Sequence, residues 1–343
     1  MLFEVNQVDR KFYEEKLQQF LPDKIIDVHT HVWLKEFNTD DESAPRRVTW
    51  PSRVAAENPA EDLVETYKLM FPGKIVTPLM FTTVAPRENL EQANDYISVC
   101  AKKYNFPALI FSDPLWSGEQ LEQKIIKGKF LGVKAYLSYS PAYIPQAEIR
   151  IFDFFPHHQL EVANKYGWII MLHIPRHGRL KDPVNLAQMI EIEKRYPNIK
   201  LIIAHVGRAY CIEDMGDAFE ALADTENMMF DISANTNAEV FEGLIKAVGP
   251  KRILFGSDLP ILRMRMRRIC ENSMYVNLVP KELYGDVSGD KNMREVDEVE
   301  AEKMTFFMYE EVDAFRRAAE ATGLSSGDIE DIFYNNAHRI IYE

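Results

Sequence analysis

Two histidines separated by one residue close an apolar run, Lys24-Ile25-Ile26-Asp27-Val28-His29-Thr30-His31. Residues two apart on a β-strand share a face, so both imidazoles can aim at one point beyond the strand end, with Asp27 on the same side. Imidazole is the commonest side-chain ligand of a divalent metal, and two on one rigid strand provide half of a four-ligand shell with little ordering cost. Taken alone, the pair is better read as two satisfied polar side chains than as a metal site. Three later segments repeat the pattern of an apolar strand closing on a ligand-type residue: 168–172 runs into His173, 201–204 into His205 and 253–257 into Asp258. Sites of parallel α/β architectures lie at the carboxyl ends of the strands, which is where all four segments put their polar residue.

The elements that must position these residues alternate. Apolar, strand-like runs at 24–31, 74–81, 108–112, 131–136, 168–172, 201–204, 228–232 and 252–257 are separated by helix-length stretches, among them 88–104, 119–127, 149–166, 214–223 and 238–248. Such alternation predicts right-handed βα units and a parallel sheet, and eight in succession predict a closed (β/α)8 TIM barrel over about 24–258. A short amphipathic helix over 9–20, with Phe12, Leu17 and Phe20 at helical spacing, is expected to plug or pack on the bottom of the barrel. A long polar loop from 32 to about 58, carrying Trp33 and Trp50, has the character of an ordered lid or binding loop. Beyond Asp258, residues 259–300 read as an excursion over the upper rim and 301–343 as a C-terminal helical extension, the whole forming one domain.

Composition bounds the partners. The 343 residues are 46% hydrophobic, enough for a large core, and carry a net charge of −13 without a basic tract that would neutralise a phosphate backbone, so nucleic acid is not an expected partner. No run at the N-terminus has signal-peptide character, and no segment reaches the roughly 20 apolar residues that cross a bilayer. Cys100, Cys211 and Cys270 lack CxxC spacing and are odd in number, which argues against a disulfide framework and for a reducing, cytoplasmic setting. No dinucleotide fingerprint or P-loop occurs. A homo-oligomer is left open.

Asp-x-His-x-His at the end of strand one, the strand-five histidine, His205 in LIIAHVGR, ILFGSDLP at strand eight and the C-terminal NNAHRI together resemble the metal-dependent amidohydrolase superfamily. Within it they resemble amidohydrolase family 2, whose members include aminocarboxymuconate-semialdehyde decarboxylase, resorcylate decarboxylases and dicarboxylate lactonases. The resemblance runs from about Lys24 to the C-terminus. It implies that His29, His31, His173 and Asp258 hold one divalent metal, with His205 beside it as an acid/base or substrate-orienting group. Three neutral imidazoles and a carboxylate suit zinc, and also manganese or iron, and leave room for a water or a substrate oxygen. A cation lowers the pKa of its water from about 15.7 toward 7. Asp258 could then pass a proton to a leaving group, and His205, titrating near physiological pH, could polarise a carbonyl or shuttle a proton. The expected activity is hydrolysis of an amide, ester or lactone in a small anionic, carboxylated substrate. Non-oxidative decarboxylation of an aromatic or unsaturated acid is the alternative on the same residues.

Other cations surround these positions. Lys134, in strand four, either aims its charge at an anionic substrate or joins an internal ion pair, or else, as a carboxylated lysine does in two-metal branches of the superfamily, bridges two ions; the flanking GVKAY speaks against the bridge. Arg176, His177 and Arg179 follow His173, and Arg208 follows His205, and at least one of the three arginines is expected to clamp a substrate carboxylate. Trp33, just after the ligand pair, reads as either barrel-rim core or a substrate wall, and the wall is the expectation. Arg263, Arg265, Arg267 and Arg268 read as an exposed or acid-paired helix face, with Arg263 the one to look inward, and His157, His158 and His338 as structural or surface residues.

Overall fold

Eight strands follow one another in parallel: β1 (Lys24–His31), β2 (Ile75–Phe81), β3 (Ile110–Phe111), β4 (Gly132–Ala135), β5 (Ile169–Leu172), β6 (Lys200–Ile203), β7 (Met229–Asp231) and β8 (Ile253–Leu254). The computed structural model describes residues 2–37 and 53–343; most of the long loop after β1, Trp50 included, lies outside the described residues. β1 pairs with β2, and β3 to β8 form one six-stranded sheet. A parallel bridge between Met80 and Ala108 joins the two groups on one side. On the other, Val28 N–H donates to the Phe255 carbonyl (3.0 Å), Asp258 N–H to that of His29 (2.8 Å) and His31 N–H to that of Leu259 (2.9 Å). The sheet thereby closes into the expected (β/α)8 barrel.

The strands are apolar throughout because both faces are covered. Ile26, Leu79, Leu109, Met171, Ile202, Met229 and Leu254 pack together inside the barrel, while Ile25, Met80, Ile110, Ile170, Leu201, Phe230 and Ile253 pack outward. The outer layer comprises α1 (Gln7–Phe12), α2 (Ala60–Met70), α3 (Leu90–Tyr104), α4 (Gly118–Gly128), α5 (His157–Tyr166), α6 (Pro183–Arg195), α7 (Ala218–Ala223), α8 (Ala238–Val248) and α9 (Phe307–Thr322), with α10 (Asn336–Tyr342) at the end of the chain. The predicted helix over 149–166 begins only at His157, because Pro156 occupies the N-cap with extended backbone.

The bottom of the barrel is sealed by α10, not by the N-terminal helix. Ala337, Ile340 and Ile341 join the interior cluster. Asn336 Nδ2 donates to the carbonyls of Pro250 (2.8 Å) and Ile253 (2.9 Å), which fixes α10 to the start of β8. The N-terminal helix instead lies against α9, where Phe12 stacks on Tyr309 at 6.2 Å between ring centroids. It is tied down by Asp9, fully buried, whose carboxylate takes both Arg265 Nη1 (2.8 Å) and Nη2 (2.7 Å).

The excursion after β8 is a three-stranded ribbon rather than a helix face. β9 (Arg267–Glu271) and β10 (Met274–Pro280) form a hairpin, and β11 (Met293–Val296) adds in parallel to β10. Asn272 and Ser273, both at positive φ (50° and 60°), make its two-residue turn, which matches the right-handed twist of the strands. The ribbon also overturns the reading of the cysteines. Cys211, after β6, and Cys270, on β9, form a disulfide with their Cα atoms 5.9 Å apart, while Cys100 stays free and buried. A sequence separation of 59 hid this pairing, which exists only because β9 folds back over the rim. Among the described residues, no helix is long and apolar enough to cross a membrane.

Candidate metal centre and active site

Between Asp27 and Thr30 two residues of β1 oppose one of β2. This β-bulge reverses the alternation of side chains. Before it Ile26 and Val28 face the barrel interior; after it His29 and His31 do. Asp27, expected beside the histidines, therefore points outward. Its Oδ2 accepts from the Tyr67 hydroxyl on α2 (2.8 Å), and its Oδ1 accepts from the backbone N–H groups of His29 (3.1 Å) and Ser257 (2.9 Å). Burial pushes this carboxyl up to about 7 against those hydrogen bonds. Gly256, two residues after β8, completes the close packing: a Cβ there would lie 3.0 Å from that of His29 and 3.3 Å from that of Asp231.

Hydrogen bonds set the tautomers. His29 Nδ1 lies 2.9 Å from Asp231 Oδ2, and His31 Nδ1 lies 3.1 Å from the Thr82 carbonyl. Both partners are acceptors, so each ring carries its proton on Nδ1 and turns the Nε2 lone pair toward Asp258, whose Oδ1 is 3.5 Å from His29 and 3.2 Å from His31. The Ser233 hydroxyl donates to Asp231 Oδ1 and accepts from His205 Nδ1 (2.8 Å), which leaves His205 Nε2 as an acceptor too. His29, His31 and Asp258 each bring one ligand atom within 4.8 Å of the others, and so do His29, His205 and Asp231. Asp231 already serves His29 through Oδ2, and its Oδ1 takes Ser233 Oγ–H and the N–H groups of His205 (2.8 Å) and Ser233 (3.1 Å). It orients two imidazoles and has little capacity left for an ion.

His173, at the end of β5, belongs to neither trio, although its ring centroid lies 5.3 Å from that of His205. Its Nδ1 is buried and has no hydrogen-bond partner among the described residues. A buried nitrogen of this kind next to two others bearing lone pairs fits a cation, which would satisfy all of them. Burial also favours the neutral form of His205 and His173: it pushes the first down to about 4 and, with Arg208, holds the second well below its ordinary range. His205 therefore does not titrate near physiological pH, contrary to expectation, because desolvation outweighs the attraction of Asp258. Asp258 sits at φ 59°, a left-handed conformation that aspartate tolerates better than most residues. Burial raises its carboxyl, and positive charge beside it, on the surrounding imidazoles when protonated or on a cation that they hold, lowers it below the usual carboxylate range.

These groups open into a cavity of about 270 Å³. Lys134 enters it from β4, fully buried, with Nζ 5.2 Å from the Phe81 ring centroid, and burial lowers its ammonium to about 8. Arg208 also lines it. This residue ends a left-handed turn, His205 to Arg208 with φ of 57°, 50°, 60° and 61°, a conformation that costs about 1–2 kcal/mol for each non-glycine residue. The Arg208 guanidinium holds the turn by donating to the carbonyls of Ile174, Pro175 and Arg176 at 3.2–3.3 Å. A Cβ at Gly207 would lie 2.5 Å from Leu180 Cδ1, so the turn needs glycine for space as well as for φ.

The other predicted substrate residues lie elsewhere. Arg176 is paired with Asp182 of its own loop (3.0 Å), and Arg179 with Asp214 of the loop after β6 (2.5 Å). Arg179 does pack behind the cavity, with Cζ 5.4 Å from the Tyr210 ring and 5.1 Å from that of Tyr275. Trp33 is 1% exposed and packs on Phe37 and Ala93, its indole N–H donating to the Ala56 carbonyl (3.2 Å), so it is rim core and not a wall of the cavity. Arg263 is buried beneath the rim against Asn58 and the Asp62 carbonyl. Of the four arginines at 263–268, after β8, the one that reaches the cavity is Arg268 of β9, with Cζ 4.7 Å from the rings of Tyr210 and Tyr275 and 4.6 Å from that of Phe307. Sequence reasoning missed Arg268 and the Asp231 relay. Asp231 had the same signal as the histidines, a polar residue at a strand end; Arg268 had none, because its direction depends on the register of the ribbon.

No curated protein matches the chain. Solved structures do. A dihydroxybenzoic acid decarboxylase from Polaromonas sp. JS666, with bound manganese and the inhibitor 2-nitroresorcinol, superposes with a TM-score of 0.56 at 16% identity over 93% of this chain and 97% of that one. A Pseudomonas putida protein assigned as a 2-pyrone-4,6-dicarboxylic acid hydrolase gives 0.53 at 15% identity (94% and 98% covered), and amidohydrolase 2 from Bifidobacterium longum subsp. infantis gives 0.53 at 16% (93% and 99%). At these identities the likeness establishes the fold. The model of the amidohydrolase 2 family matches residues 26–341, all eight strands included apart from two residues at the start of β1, and the chain belongs to that metal-dependent family.

Proposed function

We propose that the chain is a metal-dependent hydrolase that cleaves an ester, lactone or amide bond in a small carboxylated molecule. The observation that carries this reading is the convergence of His29 Nε2 and His31 Nε2 on Asp258 Oδ1 at 3.5 and 3.2 Å, at the floor of a cavity with cationic walls. His29, His31, His173 and Asp258 would hold one divalent ion, zinc by the donor set and manganese by analogy with the decarboxylase above. Such an ion would supply Lewis acidity and lower the pKa of a water or polarise a carbonyl.

The remaining chemistry belongs to the side chains. Asp258, ionised at rest, accepts the proton of the attacking water and returns it to the leaving oxygen or nitrogen. His205, neutral and with Nε2 free, accepts a hydrogen bond from the same water and helps to orient it. Both groups rest as acceptors, which suits attack by water and leaves no acid ready to protonate a carbon. Lys134 and the guanidinium groups of Arg208 and Arg268 attract the carboxylate, and Tyr136, Tyr210, Tyr275 and Phe307 admit a flat apolar body.

Those aromatic walls, together with the likeness to the dihydroxybenzoic acid decarboxylase above, favour decarboxylation of an aromatic acid as the second reading. The test is to load the protein with Zn2+ or Mn2+ and assay small lactones and esters by pH indicator in parallel with aromatic acids by CO2 release. Metal-dependent proton release, lost in Asp258→Asn, is expected. CO2 release without proton release replaces the first reading by the second, and a protein that retains no metal overturns both.

A further inference from the structure

The disulfide joins the two halves of the cavity's outer wall. Cys211 directly follows Tyr210, and Cys270 lies two residues after Arg268 and directly opposite Tyr275 in the β9–β10 hairpin. Tyr210 and Tyr275 meet edge to face at 4.9 Å between centroids, with Arg268 at 4.7 Å from both. Arg268 itself is directed by Asn277 Oδ1, which accepts from Nε (2.8 Å), and by the Ala234 carbonyl. β9 is otherwise half-exposed, so the bridge is the one covalent tie between this part of the ribbon and the barrel among the described residues.

We propose that the Cys211–Cys270 disulfide is a positioning device that holds Arg268 and Tyr275 over the cavity, and that its two-electron reduction by a dithiol releases the ribbon and weakens substrate binding. Cys270 is solvent-exposed and Cys211 fully buried, which sets the order of events. A thiolate of the dithiol attacks Cys270 Sγ, the S–S bond breaks, and Cys211 leaves as a thiolate that takes up a proton. The second thiol of the reductant then displaces Cys270 from the mixed disulfide, giving two protein thiols and a cyclic disulfide. Arg268 and Tyr275 act on the substrate; the cysteines act only through them. The consequence for binding rests on the hydrolase reading above, whereas the consequence for the ribbon does not.

Three measurements on the full-length chain decide it. Alkylation of the denatured, unreduced protein should label one thiol of three, and all three after reduction; labelling of three before reduction overturns the proposal. Amide hydrogen exchange over residues 267–280 should speed up when the protein is reduced with dithiothreitol, desalted and reloaded with Mn2+, and likewise in the Cys211→Ser/Cys270→Ser double variant. Unchanged exchange in the reduced protein overturns the proposal even where the variant folds poorly. On the substrate found by the assays above, KM should rise about tenfold on reduction with kcat within about twofold, as expected for loss of a pre-ordered binding group. An equal fall in kcat, or an unchanged KM, overturns the binding role. Absence of turnover in either redox state counts against the hydrolase reading alone, and the exchange measurement, which needs no substrate, still decides the fate of the bridge.

Discussion

Replacing Asp231 by asparagine tests whether the candidate centre depends on an orienting carboxylate. Asp231 accepts four hydrogen bonds: from His29 Nδ1 (2.9 Å), from the backbone N–H groups of His205 (2.8 Å) and Ser233 (3.1 Å), and from the Ser233 hydroxyl. An asparagine offers one acceptor oxygen and must turn its amino group toward the remaining donors. If the oxygen stays on the backbone side, the amino group faces His29 Nδ1, which then gives up its proton, so that Nε2 becomes protonated and loses its lone pair. If the oxygen faces His29, at least two buried donors go unsatisfied at about 1–3 kcal/mol each. Either way the pairing is lost, and removal of such an orienting partner costs about 10–100-fold in metal affinity. The assay is chelator competition for Zn2+, read beside urea denaturation of the metal-free protein. Wild-type metal affinity together with a stability loss below about 1 kcal/mol would refute the assignment of the tautomers and of the Asp231 role.

Three further outcomes are expected. Lys134, lowered by burial to about 8, must be protonated to attract an anion, so KM for a carboxylate substrate should be flat below pH 8 and climb about tenfold per unit above it, a rise that Lys134→Met should abolish while raising KM throughout. A wild-type KM that stays flat to pH 9.5 would remove Lys134 from binding. Glu311 on α9 is fully buried near the backbone of Ala234 and Asn235, and desolvation holds its carboxyl well above 4.5. The folded state then keeps a proton that the unfolded chain releases, so stability falls as pH rises above about 4.5; Glu311→Gln should match the wild type at pH 4 and exceed it increasingly toward pH 7, and parallel Tm curves would contradict this. Asp9→Asn breaks the buried pair with Arg265 and should cost about 3–5 kcal/mol in a denaturant titration, with a loss under 1 kcal/mol showing that the N-terminal helix is not anchored there.

Much of the barrel was legible because parallel strands covered on both faces must be apolar on both, and their runs stand out against polar helix faces. The same logic exposed His29, His31, His173, His205 and Asp258, since a strand that is apolar to its last residue advertises the polar group at its mouth. It did not reach the side on which Asp27 falls. Period-two alternation assumes unbroken pairing, and a one-residue bulge reverses it without any mark in the composition.

What the chain alone determined, then, was the order of βα units and the residue types at their carboxyl ends, because these follow from local periodicity. Tertiary structure decided what those residues meet. Arg176 and Arg179 were taken by Asp182 and Asp214, and Trp33 by the rim core, while Arg268 was delivered to the cavity and Cys211 to Cys270 by a ribbon folded across the rim. Contacts of that kind depend on strand register and on elements far apart in the chain. The burial that neutralises His205 and lowers Lys134 is likewise a property of the closed barrel, since desolvation exists only where the whole fold excludes water.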